Sequence, residues 1–288
     1  MTKTALPPLM AALMLGLSSM AAAAEDRVVE TAREIEQRLG ARVGLAIHDL
    51  ESGTSWRHNA DERFPMASTF KALACAGLLA RVDAGEEDAG RTVTIEAEDL
   101  VAHAPVTEKL VGQEVSLHDL CAATMATSDN PAANAIIDSL GGPGGVTAFV
   151  RSLGDETTRL DRRETELNEG TPGDPRDTTS PAAISATLRE LVLGSALSAG
   201  SRGQLTEWLV ANEVGGPLLR AGIPAGWRIG DRTGAGGHGT RGIVAVMWPP
   251  EREPIVAAIY VTETAASMDD RNLAIAEIGR ALSAAIAE

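Results

Sequence analysis

The stretch Ser68-Thr69-Phe70-Lys71 is the most informative part of this 288-residue chain. A Ser-x-x-Lys match alone carries little weight, because roughly one is expected by chance in a chain of this length. Three further motifs follow it: Ser128-Asp129-Asn130, then Glu164 with Leu167-Asn168, then Arg232-Thr233-Gly234. Together they supply a serine nucleophile, groups that move its proton, a general base for water and a wall that binds a carboxylate.

Ser68 and Lys71 are three residues apart, so they share one face of the helix that we predict from Ser68 to about Val82. The positive end of the helix dipole would favour a developing oxyanion at Ser68. A serine hydroxyl is a weak nucleophile until a base takes its proton, and Lys71 is placed to help. The alternative is an ordinary first helical turn with a solvated lysine.

The second and last motifs have both functional and structural interpretations. Ser128 would pass a proton to a departing amine and Asn130 would hold a substrate carbonyl, whereas Asn130 before Pro131 also fits a polar helix cap. The motif Arg232-Thr233-Gly234 ends a predicted strand. Arg232 and Thr233 suit a carboxylate, and glycine lets a ligand approach the backbone closely.

Length and charge limit the classes of function. With 44% hydrophobic residues, the chain is long enough for one large or two closely joined domains. The formal net charge is −15, and no cluster of Lys and Arg interrupts the acidic pattern. Because such a surface repels phosphate backbones, we expect no nucleic-acid partner.

The N-terminus has the pattern of a secretory signal peptide. Lys3 precedes an apolar run from Leu6 to Met20, and Ala22-Ala23-Ala24 offers a cleavage site before Glu25. The run is too short to span a bilayer, and no later segment is apolar enough, so we expect no membrane partner. We predict a signal peptide over 1–24, cleavage near Ala24/Glu25 and a periplasmic protein; the alternative is a retained N-terminal helix.

Strand patterns lie near both ends of the chain, and helical patterns lie between them. This order predicts an α/β fold with a mixed, mainly antiparallel sheet flanked by helices and an inserted all-helical domain. The predicted domains are α/β over 25–65 and 213–288, and all-helical over 66–212 with a loop at 160–179. That loop is rich in charge, Gly and Pro, and long irregular loops are usually functional or disordered.

Individual elements follow from apolar spacing and from turn residues. Predicted helices cover 28–39, 68–82, 117–126, 131–140, 146–153, 181–193, 202–212 and 271–287, and predicted strands cover 43–47, a segment through Trp56, 227–233, 243–248 and 255–262.

Cys75 and Cys121 are the two cysteines of the chain. Cys75 follows Ser68 by seven residues and Cys121 precedes Ser128 by seven, so two helical turns separate each cysteine from its serine. A bridge would join the elements that carry these serines, and an exported chain enters an oxidising compartment. We predict a Cys75–Cys121 disulfide; the alternative is two separate buried thiols.

With these motifs, the chain resembles the class A serine β-lactamases over essentially its whole mature length. The segment from Arg162 to Asn168 resembles the omega-loop signature of that family. The resemblance implies that Glu164 and Asn168 orient the hydrolytic water, that Asn134 braces the loop, and that Arg162 and Asp177 form its closing ion pair.

The resemblance also assigns residues around the substrate. Ala235 would give a second oxyanion-hole N–H beside that of Ser68, and Arg241 would support the carboxylate site. Arg232 replaces the usual lysine, which resembles the carbenicillin-hydrolysing subgroup. His103 stands where relatives usually have an aromatic gatekeeper, and its imidazole partly substitutes for a stacking wall.

The implied reaction is hydrolysis of the cyclic amide of penicillins through an acyl-enzyme on Ser68. The proton of Ser68 leaves through Lys71 or through a water held by Glu164, and that assignment stays open. Ser128 relays a proton to the lactam nitrogen, and Glu164 then activates water. The family implies β-lactam partners, a monomer, and no cofactor or metal.

Several alternatives remain at this stage. A penicillin-binding DD-peptidase shares the first, second and last motifs, but Glu164 with Leu167-Asn168 argues against it. A periplasmic sensor that acylates without turnover stays open, and a turnover assay would separate it. A zinc enzyme needs histidine-rich ligand sets, an esterase of the α/β-hydrolase type needs Gly-x-Ser-x-Gly, and other serine β-lactamases use a tyrosine in the second motif. The only tyrosine is Tyr260, in a predicted C-terminal strand, and the histidines lack ligand spacing: His48, His58, His103, His118 and His238.

Overall fold

The computed structural model describes residues 27–287 and contains a five-stranded sheet in the order β2-β1-β9-β8-β7. Each neighbouring pair in this sheet is antiparallel. The strands are β1 (Arg42–Asp49), β2 (Ser55–His58), β7 (Arg228–Ala235), β8 (Arg241–Trp248) and β9 (Ile255–Thr262). The predicted α/β class with a mainly antiparallel sheet is thereby confirmed, and the predicted signal peptide lies outside the described residues.

Helices pack on both faces of the sheet. Their bounds are α1 (27–39), α2 (Phe70–Asp83), α3 (Leu117–Thr127), α4 (Asn130–Ser139), α5 (Pro143–Ser152), α6 (Pro181–Leu193), α7 (Ala199–Val210) and α8 (Met268–Ala287). The predicted helices are present, with ends that differ by up to three residues. The differences are largest at α5, α7 and α8, each of which begins three residues before its predicted start.

The sheet separates two hydrophobic cores, because successive side chains along each strand point to opposite faces of the sheet. On β8, Ile243 and Met247 face α1 and α8, whereas Val244 and Val246 face the helical region. Both faces of the strand are therefore buried, which explains its nearly continuous apolar sequence. The core that contains Ile243 and Met247 joins α1 and α8 to the sheet. The core that contains Val244 and Val246 joins the sheet to the helices between residues 66 and 212.

The segment 160–179 is irregular apart from a short 3₁₀ helix, Glu166–Asn168, and the two-residue strand β6 (Thr178–Thr179) at its end. The strand β6 pairs antiparallel with β3 (Phe64–Pro65), just before the turn that carries Ser68. A second two-stranded sheet pairs β4 (Thr92–Thr94) antiparallel with β5 (Glu114–Ser116). The loop therefore returns to the main body of the protein beside the predicted nucleophile.

The predicted disulfide is confirmed, because Cys75 of α2 and Cys121 of α3 are bonded, with their Cα atoms 5.8 Å apart. Both residues are fully buried. The bond therefore connects the helix that follows Ser68 to the helix that precedes Ser128.

Replacing both Cys75 and Cys121 by alanine should lower the free energy of unfolding. The bond spans a sequence separation of 46 residues, and closing a loop of that length is worth up to about 4 kcal/mol in the chain-entropy model. Urea unfolding of both proteins, with thiol counting by mass after denaturation, tests this expectation. Equal unfolding midpoints, or two free thiols in the exported wild type, would contradict it.

Candidate active site

Ser68 lies in a 3₁₀ turn, Ala67–Thr69, that leads directly into α2 rather than in the α-helix itself. The preceding Ala67 has a φ of 41°, a region that residues with a Cβ rarely adopt. Ser68 Oγ lies 3.1 Å from Ser128 Oγ and 3.3 Å from Glu164 Oε1. Three of the four sequence motifs therefore meet at this hydroxyl.

Lys71 is completely buried and is surrounded by oxygen atoms. Its Nζ lies 2.6 Å from Asn130 Oδ1, 2.9 Å from the Ser128 carbonyl, 3.1 Å from Ser128 Oγ and 3.0 Å from Glu164 Oε1. Burial lowers the pKa of Lys71 to about 8, against the attraction of Glu164, which raises it. Burial therefore brings the proton affinity of Lys71 closer to neutrality than that of an exposed lysine, which favours a role in proton transfer.

The Glu164 carboxylate is held from two sides. Its side chain is fully buried against Lys71, and Asn168 donates its amide to Oε2. Asn134 holds the backbone of the same residue, because Glu164 N–H donates to Asn134 Oδ1 at 2.9 Å and Asn134 Nδ2 donates to Glu164 O at 3.0 Å. The peptide bond between Glu164 and Thr165 is cis.

The ends of the loop are joined by Arg162 and Asp177. Arg162 Nε donates to Asp177 Oδ2 at 2.6 Å, and Asp177 is almost completely buried. The backbone N–H groups of Asp161 and Arg162 also donate to Asp177 Oδ1. Arg162 makes a second ion pair with Glu169, which lies further along the loop.

The junction between α3 and α4 corrects the predicted helix cap. The N-cap is Asp129, whose carboxylate accepts from Ala132 N–H, and not Asn130, because the Asn130 side chain is held by Lys71 and by the Ala102 carbonyl. Asp129 also accepts from Thr107 N–H and Thr107 Oγ1. This structural role of the middle motif residue was missed, because nothing local in the sequence links it to Thr107.

The strand β7 forms the opposite wall and ends in Thr233, Gly234 and Ala235. Arg232 is fully buried; its Nη2 donates to Ser128 Oγ at 2.5 Å, whereas Nε and Nη1 have no partner in the described structure. Burial lowers the pKa of Arg232 to about 10, so the guanidinium stays charged at neutral pH.

Arg241 begins the neighbouring strand β8 and pairs with Ala235. Burial, followed by the nearby charge of Arg271, lowers the pKa of Arg241 to about 10. Its Nε donates to Asn272 Oδ1 at 2.8 Å, and its Nη1 donates to the Gly234 carbonyl. Asn272 was not identified from the sequence, because it lies in the last helix without any motif around it.

A cavity of about 290 Å³ opens between these walls. Three predicted site residues, Lys71, Glu164 and Arg232, are buried and do not line this cavity. Its lining combines the other predicted catalytic and substrate-binding residues with Val214: Ser68, His103, Ser128, Asn130, Asn168, Val214, Thr233, Gly234, Ala235 and Arg241. His103 lies at the exposed edge, where its Nε2 is 2.9 Å from the Thr127 carbonyl and its own carbonyl accepts from Asn130 N–H. The cavity therefore has hydroxyl, amide and cationic groups around one serine.

Comparison with known proteins identifies the family. The model of the beta-lactamase enzyme family matches residues 27–286. Beta-lactamase AER-1 of Aeromonas hydrophila is 50% identical over 262 residues, or 91% of this chain and 86% of that protein. Beta-lactamases PSE-4 and CARB-3 of Pseudomonas aeruginosa are 49% and 50% identical over 257 residues, or 89% of each chain. An ancestral (GNCA) class A beta-lactamase has 55% identity, a TM-score of 0.88 and coverage of 90% of this chain and 99% of its own.

The chain therefore belongs to the beta-lactamase enzyme family, within class A. Among residues 27–287, no helix is long and apolar enough to cross a membrane. In the same part of the chain, no three His, Cys, Asp or Glu side chains form a group able to hold a metal ion.

Replacing Asn134 by alanine should destabilise the protein, because the Glu164 N–H and C=O groups would lose both partners. Leaving a buried polar group unpaired costs about 1–3 kcal/mol, so the free energy of unfolding in urea should fall by that order. Asn134→Asp is the matched control: it keeps an acceptor for Glu164 N–H and removes the donor to Glu164 O. Unchanged unfolding of Asn134→Ala would show that the two hydrogen bonds contribute nothing.

Proposed function

We propose that this protein is a secreted serine β-lactamase that hydrolyses the lactam amide of penicillins, including carbenicillin, through an acyl-enzyme on Ser68. The observation that carries this proposal is the meeting of Ser68, Lys71, Ser128 and Glu164 within hydrogen-bonding distance. The named relatives are beta-lactamases, which supports the same reaction here.

In the first half of the proposed reaction, Ser68 Oγ attacks the lactam carbonyl and its proton leaves to Lys71, or to Glu164 through a water. The Ser68 and Ala235 N–H groups stabilise the oxyanion. The carbon–nitrogen bond then breaks, and Ser128 gives its proton to the nitrogen. Lys71 restores that proton, since its Nζ lies 3.1 Å from Ser128 Oγ.

In the second half, Glu164 takes a proton from a water that attacks the ester, and Ser68 leaves with a proton. The amide of Asn168 donates to Glu164 Oε2, and its buried Oδ1 has no partner in the described structure, which supports a water site beside the two residues. A water that donates to this oxygen would satisfy it. This step separates the proposed enzyme from a DD-peptidase or a sensor, in which the acyl group persists.

The carboxylate of the substrate would be held by Thr233, Arg232 and Arg241, and Asn130 would position an amide carbonyl. Neither buried arginine forms an ion pair in the described structure, although Asp231 attracts both from a distance. Burial lowers the pKa of both, so a substrate carboxylate would stabilise their charge. His103 would form the outer edge of the pocket.

We further propose export to the periplasm, action as a monomer, and the domain division into 25–65 with 213–288 and 66–212. The disulfide supports export, because such bonds persist in oxidising compartments. Two hydrophobic cores on opposite faces of the sheet support the division, although strands of the sheet contribute to both.

Glu164→Ala should strongly reduce turnover while leaving Ser68 able to react. Removing a positioned general base typically costs 10²–10⁴-fold, so hydrolysis of nitrocefin should fall by about that factor. With benzylpenicillin, the tryptic peptide that contains Ser68 should gain the full mass of the drug. Ser68→Ala is the control and should gain none.

The results separate the candidate functions. Multiple rapid turnovers by the wild type indicate a β-lactamase, whereas one stoichiometric burst indicates a sensor or a DD-peptidase. Near-normal turnover of Glu164→Ala would contradict its role as the base. Absence of any adduct in that variant would show that Glu164 also acts in acylation.

Arg232→Lys should lower kcat/KM for carbenicillin relative to ampicillin. The guanidinium is a planar fork with two unpartnered nitrogen atoms, whereas an ammonium is a point charge on a flexible stem. Loss of one charge-assisted hydrogen bond is worth about 1.5–3 kcal/mol, so the ratio should change about tenfold or more. An unchanged ratio would show that only the positive charge matters.

A further inference from the structure

Tyr260 is the only tyrosine of the chain, and it lies fully buried in β9, the central strand of the sheet. Its side chain belongs to the core on the side of the helical region, where its ring stacks on Phe64 with centroids 5.9 Å apart. Burial raises the pKa of Tyr260 far above its ordinary value, so the hydroxyl keeps its proton. The core therefore contains a permanent hydrogen-bond donor.

The direction of hydrogen bonding at this hydroxyl follows from proton counting. Thr69 Oγ1 lies 2.8 Å from the Met66 carbonyl and 2.9 Å from the Tyr260 hydroxyl. A carbonyl oxygen can only accept, so Thr69 donates its single hydroxyl proton to Met66. The remaining proton comes from Tyr260, which donates to Thr69. The resulting chain runs from Tyr260 through Thr69 to Met66.

Met66 and Thr69 flank the turn that carries the nucleophile. The same Met66 carbonyl accepts from Thr69 N–H at 3.1 Å, and Ala67 between them has its positive φ of 41°. Such a conformation persists only where the surroundings impose it. On its other side the turn touches β7, because a Cβ added at Gly234 would lie 2.7 Å from the Met66 carbonyl and 3.1 Å from Ser68 N.

The backbone of the sheet also makes room for Tyr260. A Cβ at Gly242, on the neighbouring strand, would lie 2.5 Å from the ring. Since Gly242 follows Arg241 directly, the strand that carries this arginine also leaves the space that Tyr260 fills. The ring therefore has one defined position, and its hydroxyl reaches the nucleophile turn from a rigid support.

We propose that Tyr260 is a positioning residue for the nucleophile, which it controls through Thr69 by fixing the turn that aims the Ser68 hydroxyl and N–H group. This inference rests on the proposed function, in which that N–H stabilises the oxyanion. Tyr260 touches neither the cavity lining nor the four catalytic side chains in the described contacts. It acts only through the backbone that carries Ser68.

Tyr260→Phe removes the donor and keeps the ring. We expect kcat/KM for benzylpenicillin to fall about five- to tenfold, the effect of losing one buried hydrogen bond that orients a reacting group. In a Glu164→Ala background, the infrared carbonyl stretch of the accumulated acyl-enzyme should move to higher frequency. The reason is that weaker hydrogen bonds from the oxyanion hole polarise the ester carbonyl less. The matched control is Ile259→Val, a small truncation on the same strand in the opposite core, and it should leave that frequency unchanged.

Thr69→Val and the double variant Tyr260→Phe/Thr69→Val separate positioning from stability. Removing both hydroxyls leaves no unpaired tyrosine donor, so the double variant should be more stable than Thr69→Val alone. Its kcat/KM should nevertheless stay reduced, because the turn has lost its connection to the sheet. Recovery of kcat/KM together with stability, or a wild-type carbonyl frequency in Tyr260→Phe, would overturn the proposal. A wild type without turnover would instead refute the proposed function.

Discussion

The burial of Lys71 is the constraint on which the site depends. Removing an ammonium group from water is costly unless oxygen atoms replace its hydration. Here those oxygens come from Glu164, Asn130 and Ser128, which lie on the 160–179 loop and at the junction between α3 and α4. The helix, the loop and the junction must therefore meet at one point. The contacts that position the reactive groups thus also hold the helical region together.

The charges around Lys71 also explain why an acidic protein can receive an anionic substrate. Glu164 is matched by Lys71, but Arg232 and Arg241 lie close by and have no carboxylate partner of their own in the described structure. Burial lowers the pKa of both arginines because their charge is poorly compensated. A substrate carboxylate bound beside them would relieve this cost. In the proposed function, the free energy of folding already includes the cost of burying the two arginines, so substrate binding does not have to supply it.

The sequence predicted those parts of the structure that depend on local patterns. Alternating apolar residues located the strands, and motif order identified the residues that surround Ser68. What was missed depends on contacts between distant segments, such as Asp129 with Thr107, Arg241 with Asn272 and Tyr260 with Thr69. The predicted N-cap of α4 was wrong for the same reason. Asn130 is a favourable capping residue locally, but its side-chain oxygen accepts a hydrogen bond from Lys71 instead.

The two halves of the proposed reaction have different structural supports. The acylating groups lie on or beside α2, α3 and β7. The two helices pack in the core of the helical region, and β7 is hydrogen-bonded into the five-stranded sheet, so the backbone is fixed at each. Glu164 lies on an irregular loop, and its position depends on side-chain contacts from Asn134 and on the ion pair that closes the loop. A change in the loop would therefore act on the water-activating step, and through the Lys71–Glu164 contact it would also reach the acylating groups. The carboxylate itself is held by Lys71 and Asn168, so the base is fixed by side-chain contacts from three separate segments rather than by regular backbone structure.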